Sequence, residues 1–290
     1  IASGTDLFLF IGIANYLYKN KLTEQNFIEK STENYDHFVK HIQTWDLKKI
    51  SEICNISKQA IIDIAKLWGE SKNVLSLWSM GLNQRQEGTA TVNGLINLHL
   101  MTGQLGKAGA GPFSLTGQPN AMGGREAGGL SHLLPGYRFV KNKIDRNEIE
   151  KIWGFPIGKI SEKQGLSAWE QIEAINKGTV KIWWIAATNP LVSMPNLNFV
   201  KKALLKCPFI ILNESYEQSE SIKFAHLVLP AAQWSEKDGV MTNSERRVTL
   251  CPSFRESNKN LKPDWQIFAE LGQKIGYFKQ FEYESSSDVY

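Results

Sequence analysis

A chain of 290 residues that is 42% apolar can bury one large core or two domains of ordinary size. Its 33 basic and 29 acidic residues leave a net charge of +4, too mild and too evenly spread to suit nucleic acid or a membrane surface. No apolar run approaches the roughly 20 residues that cross a bilayer, and Cys54, Cys207 and Cys251 lie far apart with no C-x-x-C pair, so no metal ligand set is expected within this chain.

The sequence opens IASGTDLFLF without Met and runs directly into an apolar helical pattern; it stops at FEYESSSDVY, just after another. Such edges suggest a piece of something longer, with any signal peptide lying outside the window. Asp6 to Tyr18 is apolar almost all round and reads as a buried helix. Ser57 is placed to cap a helix through Glu70 with Ile61, Ile64, Ala65 and Trp68 on one face. NVLSLWSMG then reads as a short buried strand, and GTATVNGLINLHLMTG as a helix closed by Gly103. Between them SMGLNQRQEGT turns at Gly81 and brings Asn83 and Gln84 up to a helix N-terminus, a place that favours anions.

A glycine-rich stretch follows, with ten of the 23 glycines between Gly103 and Gly136 and the pair Arg125–Glu126 at its centre. Helices are expected in DRNEIEKIWG and within Leu166 to Asn176. Three short apolar runs come next, KIWWIAATNP, PFIILNES and HLVLPAAQWSEKDG, separated by the helix-like NFVKKALLK and EQSESIKFA. Buried strands alternating with helices argue a parallel, doubly wound α/β sheet, in which ligands sit beyond the carboxyl ends of the strands. The residues placed there are Thr188 and Asn189, then Asn213 to Ser215, then Glu236 and Lys237. Amide, carboxylate and ammonium along one edge suit a nucleotide: base edge, ribose hydroxyls and phosphate. With no G-x-G-x-x-G and no G-x-x-x-x-G-K-[ST], an ordinary dinucleotide site or P-loop is not indicated.

Taken together, GTD (4–6), MGLNQ (80–84), SLTGQPNAMGGREAGGLSHLLPGYR (114–138), ATNPLVSMPN (187–196) and VLPAAQWSEKDGVMTNSERRV (228–248) resemble the bis-molybdopterin-guanine-dinucleotide (bis-MGD) oxidoreductases. Within them the chain is most similar to the catalytic subunits of assimilatory nitrate reductases. The resemblance implies two doubly wound, Rossmann-like α/β domains incomplete at both ends: residues 1–115 as the C-terminal part of one MGD-binding domain and 116–290 as the second. It implies nucleotide and pterin contacts at Gly4, Thr5, Asp6, Met80, Gln84, Asn189, Asn213, Glu214, Lys237 and Asp264. Bottom-up, Asp6 and Asp264 read only as helix-start carboxylates that cap or face the dipole. NESYEQSE is a residue longer than the family pattern, which leaves the ribose contact open between Asn213–Glu214 and Glu214–Ser215.

The implied chemistry is two-electron oxygen-atom transfer that converts nitrate to nitrite at a bis-MGD molybdenum centre. The cofactor does the hard step, and the protein supplies binding, orientation and charge. Nitrate is planar and monovalent, which suits the planar fork of a guanidinium. Arg125 is therefore the candidate anion-orienting residue, with a structural salt bridge to Glu126 as the competing reading. Gln118 follows as a pterin or active-site hydrogen bonder, and Met122 reads equally as packing.

The family's [4Fe-4S] centre and molybdenum-ligating cysteine have no match in this sequence, so the chain alone is expected to be inactive and the cluster is expected in a longer parent. A formate dehydrogenase of the same family is an alternative, with His132 seven residues beyond Arg125; a non-catalytic scaffold subunit is another. The assimilatory resemblance implies a cytoplasmic setting and an electron donor such as ferredoxin or a reductase subunit.

Overall fold

The computed structural model describes residues 1–258 and 260–290, and the chain divides into two compact units, Ile1–Gln118 and Pro119–Tyr290. The break falls after Gln118, a few residues beyond the boundary expected at 115/116.

The first unit begins with five helices, α1 (Asp6–Lys19), α2 (Gln25–Ser31), α3 (Tyr35–Gln43), α4 (Leu47–Cys54) and α5 (Lys58–Glu70). Strand β1 (Leu75–Trp78), the single turn α6 (Met80–Asn83), helix α7 (Gly88–Met101) and strand β2 (Gly111–Ser114) complete it. The nearly all-apolar α1 is the centre of the core: Ile11, Ile13, Ala14 and Leu17 pack against Ile50 and Cys54 of α4, Ile61 and Ala65 of α5, and Leu95, Leu98 and Met101 of α7. Ser57 caps α5 by accepting from the Ala60 N–H at 3.1 Å. Ile64 departs from the expected buried face and is 40% exposed. At about 100° per residue, Ile61, Ala65 and Trp68 fall within about 60° of one another, and Ile64 lies outside that stripe.

Strands β1 and β2 pair in parallel, with Leu75 opposite Gly111 and Trp78 opposite Ser114. The expectation of a buried strand fails here, because Leu75 is 53% and Leu77 is 57% exposed. A two-stranded sheet covered by helices on one face leaves alternate side chains open, and the inward positions fall to Ser76 and Trp78.

Ser76 meets His99 of α7. The His99 imidazole is fully buried, lies edge-on to Trp68 at 4.8 Å between ring centroids, and has Nε2 at 2.8 Å from Ser76 Oγ. Its Nδ1 is buried without a partner, and burial pushes its pKa down from 6.5 to about 4. The native state therefore keeps this histidine neutral while the unfolded state protonates it below its ordinary pKa. Its contribution is present above about pH 6.5 and is lost as pH falls towards about 4. Lowering pH from 7 to 5 is expected to cost roughly 2 kcal/mol through this group, at about 1.4 kcal/mol per unit. Urea midpoints should show that slope flattened in His99→Gln; an equal slope in the variant would place the pH dependence elsewhere.

The second unit opens with α8 (Ala121–Glu126), a small antiparallel pair β3 (Leu133–Leu134) and β4 (Arg138–Phe139), α9 (Lys143–Ile152) and α10 (Ala168–Asn176). Ser167 and Glu170 form a reciprocal capping box at the start of α10. Next come β5 (Ile182–Ala186), the turn α11 (Pro190–Ser193), α12 (Leu197–Lys206), β6 (Phe209–Glu214) and β7 (Leu227–Pro230). These three strands form one parallel sheet in the order β5-β6-β7, with Ile182 opposite Phe209 and Ile211 opposite Leu227.

One face of the sheet packs on α10 and α12 through Ile172, Ile175, Ile185, Val200, Leu204, Ile210 and Leu212. The other face receives α13 (Asp264–Lys274), whose Phe268 ring lies 4.7 Å from that of Trp184. Helices on both faces make this sheet doubly wound. Two expectations need correction. EQSESIKFA forms a five-residue 3-10 helix, Glu220–Phe224, rather than an α-helix. Strand β7 is an edge, so Leu227 is 42% and Val228 is 36% exposed. A hairpin unforeseen from sequence, β8 (Gly239–Thr242) with β9 (Val248–Cys251), follows β7, and the short α14 (Ser286–Val289) lies near the chain end. Among the described residues, no helix is long and apolar enough to cross a membrane.

Candidate nucleotide site and glycine-rich segment

The carboxyl ends of β5, β6 and β7 open onto a cleft of about 570 Å³. Thr188 and Asn189 line it after β5, Asn213 to Tyr216 at and after the end of β6, Gln233, Trp234 and Lys237 after β7, and Asp264 at the start of α13. Ala187, at the turn out of β5, holds a left-handed backbone with φ of 58°. A side chain bearing Cβ is strained there, and such strain concentrates where a fold builds a site.

The lining side chains are tied to one another. Asn213 is 2% exposed; its Oδ1 accepts from Trp184 Nε1 at 2.8 Å and its Nδ2 donates to Asp264 Oδ1 at 3.2 Å. Lys237 Nζ donates to the other Asp264 oxygen at 2.7 Å. The Asn189 amide donates to Glu220 Oε2 at 2.7 Å and accepts from Ser221 Oγ at 2.7 Å. The Glu220 backbone N–H, followed by the Asn189 amide, holds the Glu220 carboxyl below its ordinary value. Glu214 Oε1 accepts from the N–H groups of Ser215 and Tyr216 at 2.8 and 3.2 Å.

Two details revise the picture of a mixed polar edge. Glu236 does not line the cleft; it closes a capping box with Gln233, accepting from the Gln233 N–H at 3.0 Å. Lys237 is neutralised by Asp264, so the ammonium expected to meet phosphate is already paired. Among the charged lining residues Glu214, Lys237 and Asp264, two negative charges stand against one positive, leaving a net −1. Such a cleft accepts hydrogen bonds from N–H and O–H groups better than it holds phosphate. Sequence reasoning missed Trp184, Ala187 and the rim aromatics Tyr216 and Trp234, each 64% exposed. Strand alternation held a signal for Trp184: next to Trp183, which faces the α10 and α12 core, it must face the opposite side.

In the first unit, Gly4 and Thr5 lead into α1, whose first residue is Asp6, and Gly4 has φ of 86°. Thr5 Oγ1 donates to the Ala2 carbonyl at 2.7 Å. Asp6 caps nothing; it is ion-paired with Arg85 Nη1 at 2.9 Å, while Arg85 Nη2 donates to the Gly4 carbonyl at 2.7 Å. Arg85, which no sequence signal singled out, fastens this loop to the segment after β1. That segment carries Met80 and Gln84; the Gln84 N–H donates to the Met80 carbonyl at 2.8 Å and its side chain is exposed. Asn83 is committed to the fold, accepting from Trp78 Nε1 at 2.9 Å and donating to Ser114 Oγ at 3.2 Å. Gln118 ends the unit, exposed.

In the second unit, the Arg125–Glu126 salt bridge does not form. Glu126 turns to the β8 hairpin, accepting from Thr242 Oγ1 at 3.0 Å and facing Arg246 Nε at 3.6 Å. Asn120 Oδ1 accepts from the Thr242 N–H at 2.9 Å, and Met122 Sδ accepts from the Tyr137 hydroxyl at 3.1 Å, so Met122 serves packing. Arg125 is exposed on α8 and, among the described residues, has no ion-pair or side-chain hydrogen-bond partner. The glycines around it fall into two kinds. Gly128, at φ of 79°, would place a Cβ 2.6 Å from the Leu134 carbonyl carbon, whereas Gly124 would meet nothing within 4 Å; in the first unit Gly117 is likewise open.

A parallel sheet with an acidic, aromatic-rimmed cleft beyond its strand ends defines an α/β protein whose candidate site lies where such sheets bind ligands. A family model described as "Molybdopterin oxidoreductase" matches residues 1–274, and the chain belongs to that family. It is 52% identical over 290 residues to a nitrate reductase of Synechocystis, covering all of this chain and 41% of the relative. It is 36% identical over 290 residues to the assimilatory nitrate reductase catalytic subunit of Bacillus subtilis, again covering all of this chain and 41% of the relative. The chain thus spans about two fifths of the length of these relatives. Acetylene hydratase from Pelobacter acetylenicus shares the fold, with a TM-score of 0.67 at 17% identity over 98% of this chain and 41% of that one.

Proposed function

We propose that this chain is the part of a molybdenum nitrate reductase that grips the guanine nucleotide tails of bis-MGD and presents Arg125 to nitrate. The observation that carries the nucleotide part is the acceptor-rich cleft in which Asp264 neutralises Lys237. Identity of 52% to a nitrate reductase along the whole chain supports the reaction.

The residues present suit such a group. Ser219 Oγ belongs to the cleft lining and is buried without a partner, a hydroxyl that a bound ribose or base edge satisfies. Gly117 and Gly124 leave open space where side chains would stand, which allows backbone to approach a bulky cofactor. In this reading residues 1–115 and 116–290 each serve one MGD. Glu214 accepts from ribose hydroxyls, with Ser215 fixing it through its N–H, and the free lone pairs of Asp264 accept from the guanine edge. Asn189 and Asn213 act through the contacts they hold, Asn189 on Glu220 and Asn213 on Asp264. Gly4, Thr5, Asp6, Met80 and Gln84 form the corresponding grip in the first unit.

When bound, the molybdenum pterin supplies the two-electron oxygen-atom chemistry. The protein holds the anion. Arg125, free of Glu126, offers two parallel N–H groups to two oxygens of a planar monoanion, and Gln118 offers an amide to the pterin or substrate. A [4Fe-4S] cluster held elsewhere in the parent enzyme, electron supply from ferredoxin or a reductase subunit, and an assimilatory role in the cytoplasm belong to the same reading.

The test is the parent enzyme carrying this chain, assayed with a reduced viologen and nitrate and, separately, with formate and an oxidised dye. Nitrite formation without formate oxidation is expected, with GMP released together with molybdenum on acid hydrolysis. Formate oxidation without nitrite would overturn the substrate, and release of CMP or of no nucleotide would overturn the cofactor.

A further inference from the structure

Asp264 is held from two sides, by Asn213 Nδ2 on Oδ1 and by Lys237 Nζ on Oδ2. The Asn213 amide is fixed in its turn by the Trp184 indole N–H at 2.8 Å. Trp184 is not part of the cleft lining; it stands on β5 with its ring against Phe268 of α13. The chemistry of this row has one solution. An indole nitrogen only donates, so Asn213 must turn its carbonyl to Trp184 and its NH₂ to Asp264. The flipped amide would set donor against donor and carbonyl against carboxylate. At 2% exposure, Asn213 has no water to relieve either clash. An ionised carboxylate has about four lone-pair sites, and the two contacts use two of them, so the direction of the remainder is set by its neighbours.

We infer that Trp184 is a positioning residue: acting through Asn213, it fixes the orientation of Asp264 and thereby which nucleobase edge the cleft accepts. The inference rests on the reading that a nucleotide occupies this cleft. An oriented carboxylate accepts two parallel donors from one base edge, N1–H and the exocyclic amine of guanine. Hypoxanthine supplies only the first of these. Comparing guanine with hypoxanthine nucleotides therefore measures the orientation of Asp264 rather than its charge.

The experiment titrates the full chain with GDP and with IDP in a calorimeter. Wild type is expected to prefer GDP by about tenfold, the lower end of what one well-placed hydrogen bond to a charged group confers. Trp184→Phe keeps a ring against Phe268 and removes the N–H; it is expected to bring the two affinities within about twofold of each other. Trp169→Phe, which loses an indole bond to Glu173 of 2.8 Å in the same unit, should keep the preference. Independently, the indole ¹H–¹⁵N resonance of Trp184, identified by its loss in Trp184→Phe, is expected to move when GDP is added to wild type. A Trp184→Phe variant as selective as wild type, or an indole resonance that stays in place while GDP binds, overturns the positioning role. A wild type that binds neither nucleotide overturns the nucleotide reading and takes the positioning role with it.

Discussion

Replacing Arg125 with Lys in the parent enzyme is expected to lower kcat/KM for nitrate about 100-fold, near 2.7 kcal/mol, while molybdenum content stays at the wild-type level. The expectation follows from what Arg125 does not touch. The neighbouring carboxylate of Glu126 is engaged by Thr242 at 3.0 Å and by Arg246 at 3.6 Å. A structural arginine would be occupied; this one is exposed on a short helix with its fork unspent. Lys retains the charge but presents a compact, strongly hydrated point in place of two parallel donors. A planar anion gripped in one orientation becomes an anion merely attracted, so kcat is expected to fall more than KM rises. Metal analysis separates this from a structural role: if molybdenum content collapses with activity, Arg125 supports the cofactor or the fold instead.

The sites divide sharply into what the sequence could and could not reveal. The positions of Asn189, Asn213, Glu214 and Lys237 at one sheet edge were legible, because apolar runs ending in polar residues mark strand ends and parallel order brings those ends together. Caps such as Ser57 and Ser167 were legible for the same local reason. What the side chains do there was not. Lys237 is neutralised by a residue 27 positions away, Asn213 is oriented by one 29 positions away, and Asp6 is paired with one 79 positions away. No local pattern encodes such pairings, since each depends on the register of elements that meet only in the folded unit. The β8 hairpin escaped notice similarly, and with it the partner that draws Glu126 off Arg125. Burial errors had a different source. Leu75, Leu77 and Val228 are apolar enough to read as core, yet sheets of two or three strands leave open faces and edges.

The glycine-rich segment supplies the largest stability effect and a contrast of opposite sign. Gly128→Ala is expected to destabilise the second unit by about 3 kcal/mol or more, read as a fall in the urea midpoint at unchanged slope. Its φ of 79° is costly for any residue bearing Cβ, and that atom would stand 2.6 Å from the Leu134 carbonyl carbon and 2.7 Å from the Pro135 nitrogen. The obstructing backbone has little room to retreat. The Gly136 N–H is bonded to the Glu126 carbonyl at 2.7 Å, and the Leu134 side chain is buried with Val140 and Ile149. Gly124→Ala reverses the balance: it lies inside α8, its Cβ would meet nothing within 4 Å, and a helical Ala gains roughly 0.5–1 kcal/mol over Gly. Unliganded protein should therefore become slightly more stable. If the open space beside Gly124 is where the cofactor meets backbone, the same methyl should lower cofactor retention in the parent enzyme. More stable protein carrying less molybdenum is the result expected, and full molybdenum content in Gly124→Ala would place the cofactor elsewhere.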